Sequence, residues 1–444
     1  MGEVRIANQQ HNGYLRELNL QSRPKWSHDG MHRVMPPSQT LRNLQGVAKA
    51  IGVTRVADTS AMDPLNIPVF SAIRPTDAEP GISVYNGKGL TKVQAKVGAI
   101  MEGVERYSAE SWAGPTIRGT YHDLDRQGHP AFDPHWMHLQ QRHAYRSDDV
   151  LEWGAGWDLM TSQPIWIPLN FLVFPYEGDS KTVWYRSTNG LASGNTREEA
   201  ICHALAEVIE RDAYTIAVVR TQLVPRLRAA QKQWVSNQSL AVDPTVDAEI
   251  FPNIALDTVS PRVMRLIEQM QQAGARVWLK NITSDIGIPT FIGSIFTAGA
   301  NSTPLAAGGF GAHLNSEIAA IRALTEAVQG RNVQIQGARE DATKYARVIQ
   351  PNHGTVLWCA DTQETVSFSS IRSVTNADIL DDIQDMIALL QQAGIQHAYI
   401  ADLTDHALGI PVIRVIIPEL ESWFITDFNP DRAILGQRAQ RFLP

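Results

Sequence analysis

The sequence predicts a mixed helix-and-sheet fold built from recurring sheet-and-helix units. Three observations support this prediction: a strand–turn–strand pattern that occurs four times, helical segments that precede three of those patterns, and a glutamate-rich helical segment that occurs three times. A chain of 444 residues is long enough for two or three domains. Because repeated units bury their apolar faces against one another, we expect one cooperative body instead.

The strand–turn–strand pattern begins with a short apolar run, continues through a turn with Asx or Thr, and ends with Ile-Pro opening a second apolar run. β-Branched residues favour strands, Asx and Thr favour turns, and proline is tolerated at the first residue of a strand. The four copies lie in residues 53–70, 158–169, 277–291 and 399–413. We therefore expect four hairpins.

Helices are predicted before three of these hairpins. Residues 263–272 and 379–392 have apolar residues at helical spacing, and both end in Gln-Gln-Ala-Gly, where the glycine is a stop signal. Residues 41–51, which follow Pro37 and end at Gly52, are expected to form the helix before the first hairpin.

The second repeated element carries chemistry. Residues 91–106, 196–211 and 315–329 align in one register, have helical spacing and contain no proline. Residues i and i+3 share a helix face, so the repeat predicts paired carboxylates in its first two copies and a Glu/Gln pair in the third. These are Glu102/Glu105, Glu207/Glu210 and Glu326/Gln329.

A single Glu-x-x-Glu-Arg segment is usually a solvated helix face. Here the apolar neighbours of the glutamates predict that the three helices are largely buried, and buried carboxylates need a counter-charge. Arg106 and Arg211 supply part of it. Hard oxygen ligands from three helices suit Mg²⁺, which commonly binds together with phosphate.

Glycine-rich segments precede these helices, at residues 86–89, 189–195 and 308–313. We expect them to be turns that cradle phosphate at helix N-termini. The sequence contains neither a Gly-x-x-x-x-Gly-Lys-Ser/Thr segment nor the kinase signature set, so a conventional nucleotide motif is excluded.

Composition excludes several other classes. The net charge is −7, from 39 basic and 46 acidic residues, which argues against a nucleic-acid binder held by bulk charge. Two cysteines, Cys202 and Cys359, cannot build a disulfide framework and fit a reducing compartment. The sequence shows no secretory signal and no apolar run long enough to cross a bilayer. We expect a cytoplasmic protein.

These motifs resemble the signature of the YcaO superfamily. The resemblance rests on residues 187–211, on the Glu102-x-x-Glu105-Arg106 helix and on residues 322–329, and it extends from about residue 32 to about residue 418. It implies an α+β fold in which repeated sheet-and-helix units enclose a Mg²⁺–ATP site. The implied organisation is an N-terminal extension (residues 1–40), a catalytic domain (41–418) and a C-terminal tail (419–444).

The resemblance also implies a reaction: ATP-dependent activation of a peptide backbone amide by phosphorylation of its oxygen, with ADP and phosphate as products. It places Arg322 and Glu326 in the catalytic role. The implied Mg²⁺ ligands are Glu102, Glu105, Glu199, Glu207, Glu210 and Glu326. The implied cofactor-binding residues are Glu102, Glu105, Arg106, Asn195, Glu199, Glu207, Glu210, Arg211 and Arg322.

Two positions depart from the family pattern. Gly98 stands where many members have Ser, which removes a hydroxyl contact. His203 stands where relatives often have Gln; it either contacts the nucleotide, replaces a water molecule or serves as a structural histidine. Cys202 is tempting as a sulfur relay, but a buried free cysteine is commonly inert, so we expect it to be core.

The nucleophile decides which product forms. Residues 51–75 and 83–89 look like those of members that make thioamides with an external sulfur donor and a TfuA protein, so we favour peptide thioamidation. Azoline formation on Cys, Ser or Thr of a ribosomal peptide and a non-catalytic nucleotide-binding scaffold remain alternatives. The expected partners are a peptide or protein substrate, a TfuA-like sulfur-delivery protein and a second copy of the chain, with no nucleic acid and no membrane.

Overall fold

A computed structural model describes residues 5–7, 17–28, 30–76, 82–137, 145–178, 183, 187–224, 251–298, 305–340, 357–421 and 435–443. Within these ranges no helix is long and apolar enough to span a bilayer.

The strands, in chain order, are β1 (Arg5–Ala7), β2 (Trp26–His28), β3 (Met31–Arg33), β4 (Arg55–Asp58), β5 (Val69–Ile73), β6 (Val84–Lys88), β7 (Thr116–Gly119), β8 (Leu151–Asp158), β9 (Pro164–Pro168), β10 (Leu191–Ser193), β11 (Asn253–Ile254), β12 (Arg276–Asn281), β13 (Thr290–Thr297), β14 (Leu305–Ala312), β15 (Thr365–Val366), β16 (Tyr399–Asp402) and β17 (Val412–Ile416).

The α-helices are α1 (Pro37–Asn43), α2 (Val47–Ala50), α3 (Lys92–Ala109), α4 (Tyr121–Arg126), α5 (Leu169–Leu172), α6 (Arg197–Val218), α7 (Pro261–Gln272), α8 (Ser316–Gln336), α9 (Ile379–Gln392) and α10 (Gln437–Gln440). A further short helix covers residues 357–361.

The described strands form four sheets. The largest has seven strands in the order β1-β7-β8-β16-β17-β10, with β9 paired to β8; a second has the order β14-β13-β12-β11-β15. A third has the order β4-β5-β6, and β2 pairs with β3. All four predicted hairpins are confirmed as antiparallel pairs: β4/β5, β8/β9, β12/β13 and β16/β17. The fold class is α+β, as expected.

The predicted helices before the third and fourth hairpins are confirmed as α7 and α9. The single helix predicted over residues 41–51 was wrong, because this segment contains the end of α1 and all of α2. Gly46 separates them with φ at 85°, a left-handed conformation that cannot continue a right-handed helix.

Each acid-bearing helix packs on a different sheet. α3 lies on β5 and β6, α6 on β10 and β17, and α8 on β13 and β14. The apolar neighbours of the glutamates are buried as predicted: Ala99, Ile100, Val104, Ala204, Leu205, Val208, Ile209, Leu324 and Val328. The apolar faces of the three helices are therefore packed in the interior, while exposed residues remain near the ends of α3 and α8, such as Lys92 and Gln334.

The glycine-rich segments contain more strand than the prediction of turns implied. They include the last three residues of β6, all of β10 and most of β14, while Asn189 and Gly190 form a turn before β10 as predicted. A Cβ atom on Gly87 would lie 2.0 Å from the carbonyl oxygen of Ala95, and one on Gly309 would lie 2.1 Å from the backbone nitrogen of Ala327. These glycines let a helix lie directly on the neighbouring strand. The helix N-termini are instead capped by side chains, those of Thr91, Thr196 and Asn315.

The predicted boundary between residues 40 and 41 lies inside α1, so the N-terminal segment is not a separate extension. Arg23 pairs with Glu198 at 2.9 Å, which ties this segment to α6. The C-terminal tail is also attached to the body: Arg438 of α10 forms a buried ion pair with Asp212 of α6 at 2.9 Å. Both ends therefore pack against α6, which carries three of the predicted metal ligands, Glu199, Glu207 and Glu210.

The close contact between β6 and α3 is testable at Gly87. Gly87→Ala forces a Cβ atom against the backbone of α3, so we expect the free energy of unfolding to fall by about 3 kcal/mol. Gly103→Ala, on α3 itself, is the matched control, because its Cβ atom would meet Ile51 at 3.4 Å, an ordinary contact. Denaturant unfolding of both variants measures the effect, and equal stability of the two would contradict it.

Candidate active site

A cavity of about 980 Å³ lies where the three acid-bearing helices meet. Residues of β6, β10 and β14 border it, and each of these strands is an edge strand of its sheet. Several residues between 30 and 40 close another side. The cavity is therefore enclosed by three different sheets and by the segment that the sequence predicted to be an extension.

The glutamates are held by the edges of these strands. An edge strand presents N–H groups that no further strand accepts, and in this fold a carboxylate of an acid-bearing helix accepts one from each edge. The bonds run from Asn86 N to Glu102 Oε2 (2.8 Å), Ser193 N to Glu105 Oε1 (2.9 Å), Ala312 N to Glu210 Oε2 (3.1 Å) and Phe310 N to Glu326 Oε1 (3.3 Å). Carboxylate positions are thereby fixed by backbone atoms.

The carboxylates of different helices repel one another. Burial raises the pKa of Glu105 to about 7, and the charges of Glu102 and Glu207 add to this effect. Burial likewise raises the pKa of Glu207 to about 7, with Glu210 contributing. The pKa of Glu210 is also raised, mainly by burial and further by Glu326 of α8. The predicted convergence of acids from α3, α6 and α8 is thus present in the structure.

Three cations face these acids. Arg211 and Arg322 approach Glu210 at 3.6 and 3.9 Å. Lys88 Nζ lies 2.5 Å from Glu326 Oε2. Burial alone would raise the pKa of Glu326, but Lys88 and Arg211 outweigh it and lower that pKa. Sequence reasoning missed Lys88, although its position in a glycine-rich segment at the start of an acid-bearing repeat was a usable signal.

Arg322 is positioned by His203. Its Nη1 atom lies 3.0 Å from His203 Nδ1, and its Nε atom is buried with no hydrogen-bond partner among the described residues. Burial, followed by the charge of Arg322, lowers the pKa of His203 well below its ordinary value. The imidazole is therefore neutral, and Nδ1 accepts from the guanidinium. This contact gives the histidine at position 203 a concrete role in the free protein.

Glu199 and Asn195 lie in the cavity wall in a different environment from the other predicted ligands. Glu199 accepts hydrogen bonds from Arg33 Nη1 (3.2 Å), Val34 N (2.9 Å) and Asn195 Nδ2 (3.0 Å). A metal ion would have to displace one of these donors. The geometry makes Glu199 an anchor for the N-terminal segment, and its predicted metal role has the least support in this arrangement.

Arg106 also lines the cavity, and its guanidinium lies 5.8 Å from the ring centroid of Phe174.

Cys202 reaches the same cavity, but burial, followed by the charge of Asp382, raises the pKa of its thiol to about 12. The thiol is therefore protonated at neutral pH. This fits the interpretation of Cys202 as a core residue and not as a sulfur relay.

A second polar cluster occupies one end of the cavity. Among the described residues, ligand atoms of His32, His313 and Asp382 lie within 4.8 Å of one another. Lys25 Nζ, however, lies 2.5 Å from Asp382 Oδ2 and already neutralises this carboxylate. Burial and Lys25 lower the pKa of His32 to about 4, so its imidazole is uncharged. The cluster is an electrically neutral wall.

The acid-lined part of the cavity fits Mg²⁺. Its donors are carboxylate oxygens, and burial, reinforced by neighbouring glutamates, raises the pKa values of Glu105, Glu207 and Glu210, so that a cation bound there would stabilise their charged forms. In the described part of the chain these glutamates are not gathered as tightly as the histidine cluster. Such spacing suits Mg²⁺, which uses one or two carboxylates and completes its shell with phosphate and water.

Comparisons with known proteins place this geometry in a family. The family model described as YcaO cyclodehydratase, ATP- and Mg²⁺-binding, matches residues 86–421. A protein of Methanothermobacter thermautotrophicus is 33% identical over 92% of this chain and 99% of its own length. A protein encoded in the tfuA 3′ region of Rhizobium leguminosarum bv. trifolii is 29% identical over 92% of each chain.

Solved structures share the fold. YcaO from Methanopyrus kandleri, bound with AMPPCP and Mg²⁺, superposes with a TM-score of 0.66 at 24% identity, covering 91% of this chain and 97% of that one. A heterocyclase in complex with substrate and cofactor superposes with a TM-score of 0.74 at 24% identity, covering 93% of this chain and 55% of that one. This chain thus spans about half the length of the heterocyclase.

Because the family model matches most of the chain and a relative is 33% identical over nearly its whole length, the chain belongs to the YcaO family, with ATP and Mg²⁺ as its cofactors.

Proposed function

We propose that this protein uses Mg²⁺–ATP to activate a peptide backbone amide and converts it to a thioamide with an external sulfur nucleophile. The observation that carries the proposal is the convergence of glutamates from α3, α6 and α8 in one cavity with Arg322 and Lys88. Mg²⁺–ATP supplies the transferable phosphoryl group and the metal charge that offsets it. Residues 51–75 and 83–89 and the relative from the tfuA region support the thioamide product.

The proposed reaction balances as follows. Hydrosulfide adds to the carbonyl carbon of the peptide amide, and the electron pair of the C=O bond moves to oxygen. That oxyanion takes the γ-phosphoryl group of ATP, which releases ADP. Phosphate then leaves with the C–O bonding pair, the S–H proton is lost to solvent, and the C=S bond forms. The net change is one oxygen replaced by sulfur, with ADP and phosphate as co-products.

The residues of this chain take distinct roles in the proposal. Glu102, Glu105, Glu207 and Glu210 hold the metal, because backbone N–H groups already fix three of these four carboxylates. Arg322 stabilises the charge that develops on the transferred phosphoryl group. Glu326 and Lys88 complete the other wall of the site.

Azoline formation is the second candidate, and the cyclodehydratase description of the family model favours it. In that reaction a Cys, Ser or Thr side chain of the substrate is the nucleophile and water is lost.

The cost of burying like charges argues against a non-catalytic scaffold. Buried carboxylates that repel one another are costly without a cation, and a chain with no use for Mg²⁺ gains nothing by keeping them.

A TfuA-like protein is the proposed sulfur donor. Burial and the protonated state of Cys202 argue against delivery of sulfur through that side chain. The other cysteine, Cys359, is also buried, and its pKa is raised to about 11. Sulfur is therefore expected to arrive from outside the chain, on a partner or as free sulfide.

The product distinguishes the candidates. Extract from a host strain that lacks the gene is incubated with the wild-type protein, Mg²⁺–ATP and sodium sulfide, and its peptides are analysed by mass spectrometry. We expect a peptide in which one oxygen is replaced by sulfur, together with ADP. Loss of one water instead means azoline formation. No change in any peptide, and no ADP above a control without protein, would favour the scaffold.

Arg322→Lys is expected to lower kcat for the peptide identified in that experiment by about 10² to 10³-fold, while KM for ATP changes little. Lysine keeps the positive charge. It lacks the planar guanidinium group, however, which can donate hydrogen bonds to His203 and to a transferred phosphoryl group at the same time. Steady-state ADP release measures both constants. Arg276→Lys, on the exposed part of β12, is the control. An unchanged kcat would remove Arg322 from the proposed role.

The repulsion among the glutamates predicts a pH dependence of stability. A carboxyl group whose pKa is raised in the folded state stabilises the protein at low pH, and this contribution is lost as the pH rises from about 4.5 to about 7. Without ligand, the melting temperature of Glu207→Gln should therefore be a few degrees higher than that of wild type at pH 8. At pH 5 the two melting temperatures should differ little. Thermal unfolding at both pH values measures this.

Ligand binding completes the same test. Mg²⁺ with a non-hydrolysable ATP analogue should raise the melting temperature of wild type at pH 8 more than that of Glu207→Gln, because the variant lacks one carboxylate. Glu268→Gln, on the exposed face of α7, should behave like wild type in every condition. Equal melting temperatures of Glu207→Gln and wild type at pH 8 would contradict the electrostatic account.

A further inference from the structure

The cavity is long, and it follows one face of α8. The α8 residues that line it recur at intervals of three and four, which places them on a single helix face. They run from Ile318 to Gln334, about 24 Å at the rise of an α-helix. The glutamates occupy the middle of this length, so two ends remain. We call them the histidine end and the glycine end.

The histidine end is lined by His32, His203 and His313, together with Met35. Its imidazoles are uncharged, and His32 and His313 meet edge to face with 5.2 Å between ring centroids. Flat, neutral surfaces suit a heteroaromatic ring.

The glycine end is lined by Leu305, Gly308, Gly330, Val333 and Gly337. It contains the outer edge of β14, whose inner edge pairs with β13. Along an antiparallel strand alternate residues turn their N–H and C=O groups to the same side. Phe310 and Ala312 give their N–H groups to glutamates on the outer side, so Gly308 also faces outwards.

The hydrogen bonding of the outer edge of β14 differs from one residue to the next. The N–H groups of Phe310 and Ala312 are bound to Glu326 and Glu210, and the C=O of Ala306 accepts a hydrogen bond of 3.4 Å from Gln334 Nε2. Gly308 lies between them, and no described residue hydrogen-bonds to its outward groups. Among the described residues, a strand edge with such unpaired groups is a template for a further strand.

Gly330 leaves room beside that edge. A glycine inside a helix costs about 1 kcal/mol relative to alanine, so its presence calls for a reason. Packing does not require it, because a Cβ atom on Gly330 would meet only the carbonyl oxygen of Gly308, at 3.6 Å. This distinguishes Gly330 from Gly309, where a Cβ atom would collide with the backbone of α8. The absent side chain keeps the glycine end open.

We propose that the substrate peptide binds in extended conformation at the glycine end, pairing its backbone with the outer edge of β14 at Gly308. Glu326 takes the N–H of Phe310, so pairing ends there and the next peptide amide reaches the acid-lined centre beside Lys88. This inference rests on the proposed function, because it requires a peptide as substrate. In this arrangement the protein binds the main chain of the peptide. The main chain also contains the amide that reacts, so binding positions the reacting group directly.

The test fills the space beside Gly330. A library of random twelve-residue peptides, displayed on their encoding mRNA, is selected against the wild-type protein with Mg²⁺ and a non-hydrolysable ATP analogue. An enriched peptide is then labelled and its Kd is measured by fluorescence polarisation. We expect Gly330→Leu to weaken peptide binding by about tenfold or more. Ile335→Leu, at an exposed position of α8 that does not line the cavity, is the control and should bind like wild type.

Two further measurements keep the result unambiguous. Val333→Trp fills the same end from a half-buried position one turn along the same face, and it answers the question if Gly330→Leu does not fold. Affinity for the ATP analogue should be unchanged in all three variants. Peptides that bind Gly330→Leu or Val333→Trp as tightly as wild type would overturn the proposal. So would an equal loss of nucleotide affinity, or a library that yields no binder.

The outcome separates this inference from the proposed function. Binding is measured without turnover, whereas the proposed function is tested by product mass and ADP release. If Gly330→Leu still converts the substrate found in the extract with unchanged KM, the peptide lies elsewhere and the reaction stands. If wild type binds a selected peptide at the glycine end but produces no ADP, the groove stands and the reaction does not.

Discussion

The hydrogen bonds between edge-strand N–H groups and glutamates are the constraint on which the site depends. Each bond satisfies an edge that would otherwise be open, and each fixes a carboxylate in the cavity; burial raises the pKa of two of these carboxyl groups, Glu105 and Glu210. The same contact thus satisfies a strand edge and positions a carboxylate oxygen. Arg211, Arg322 and Lys88 face these carboxylates, and a bound cation would stabilise the charged form of the buried ones further.

Glycine has two separate uses around this site. At Gly87 and Gly309 the absent side chain brings strand and helix backbones together, and this approach lets a short glutamate side chain reach the strand edge. At Gly330 no packing demand exists, and the absent side chain instead leaves space in the cavity. A motif search that counts glycines treats these positions alike, although one kind shapes the fold and the other shapes the substrate path.

Local patterns predicted much of the fold. Alternation, Asx turns and Ile-Pro starts identified four hairpins, and helical spacing identified α3, α6, α7, α8 and α9. The errors came where tertiary packing overrode a local signal. Gly46 split a predicted helix, and parts of the glycine-rich segments predicted as turns are strands, where helices lie directly on Gly87 and Gly309. The domain boundary at residue 40 failed because α1 continues across it.

The sequence by itself predicted the three acid-bearing helices and their paired carboxylates, because these follow from spacing along the chain, and its motifs carried the resemblance to the family. Only the tertiary structure decided which residues from distant segments share the cavity. The pairing of Lys88 with Glu326 and of His203 with Arg322 depends on how separate sheets pack, and no local pattern encodes it. The same holds for the contacts of Glu199, whose carboxylate accepts hydrogen bonds from Arg33 and Val34, since a carboxylate's partners are set by what folds against it.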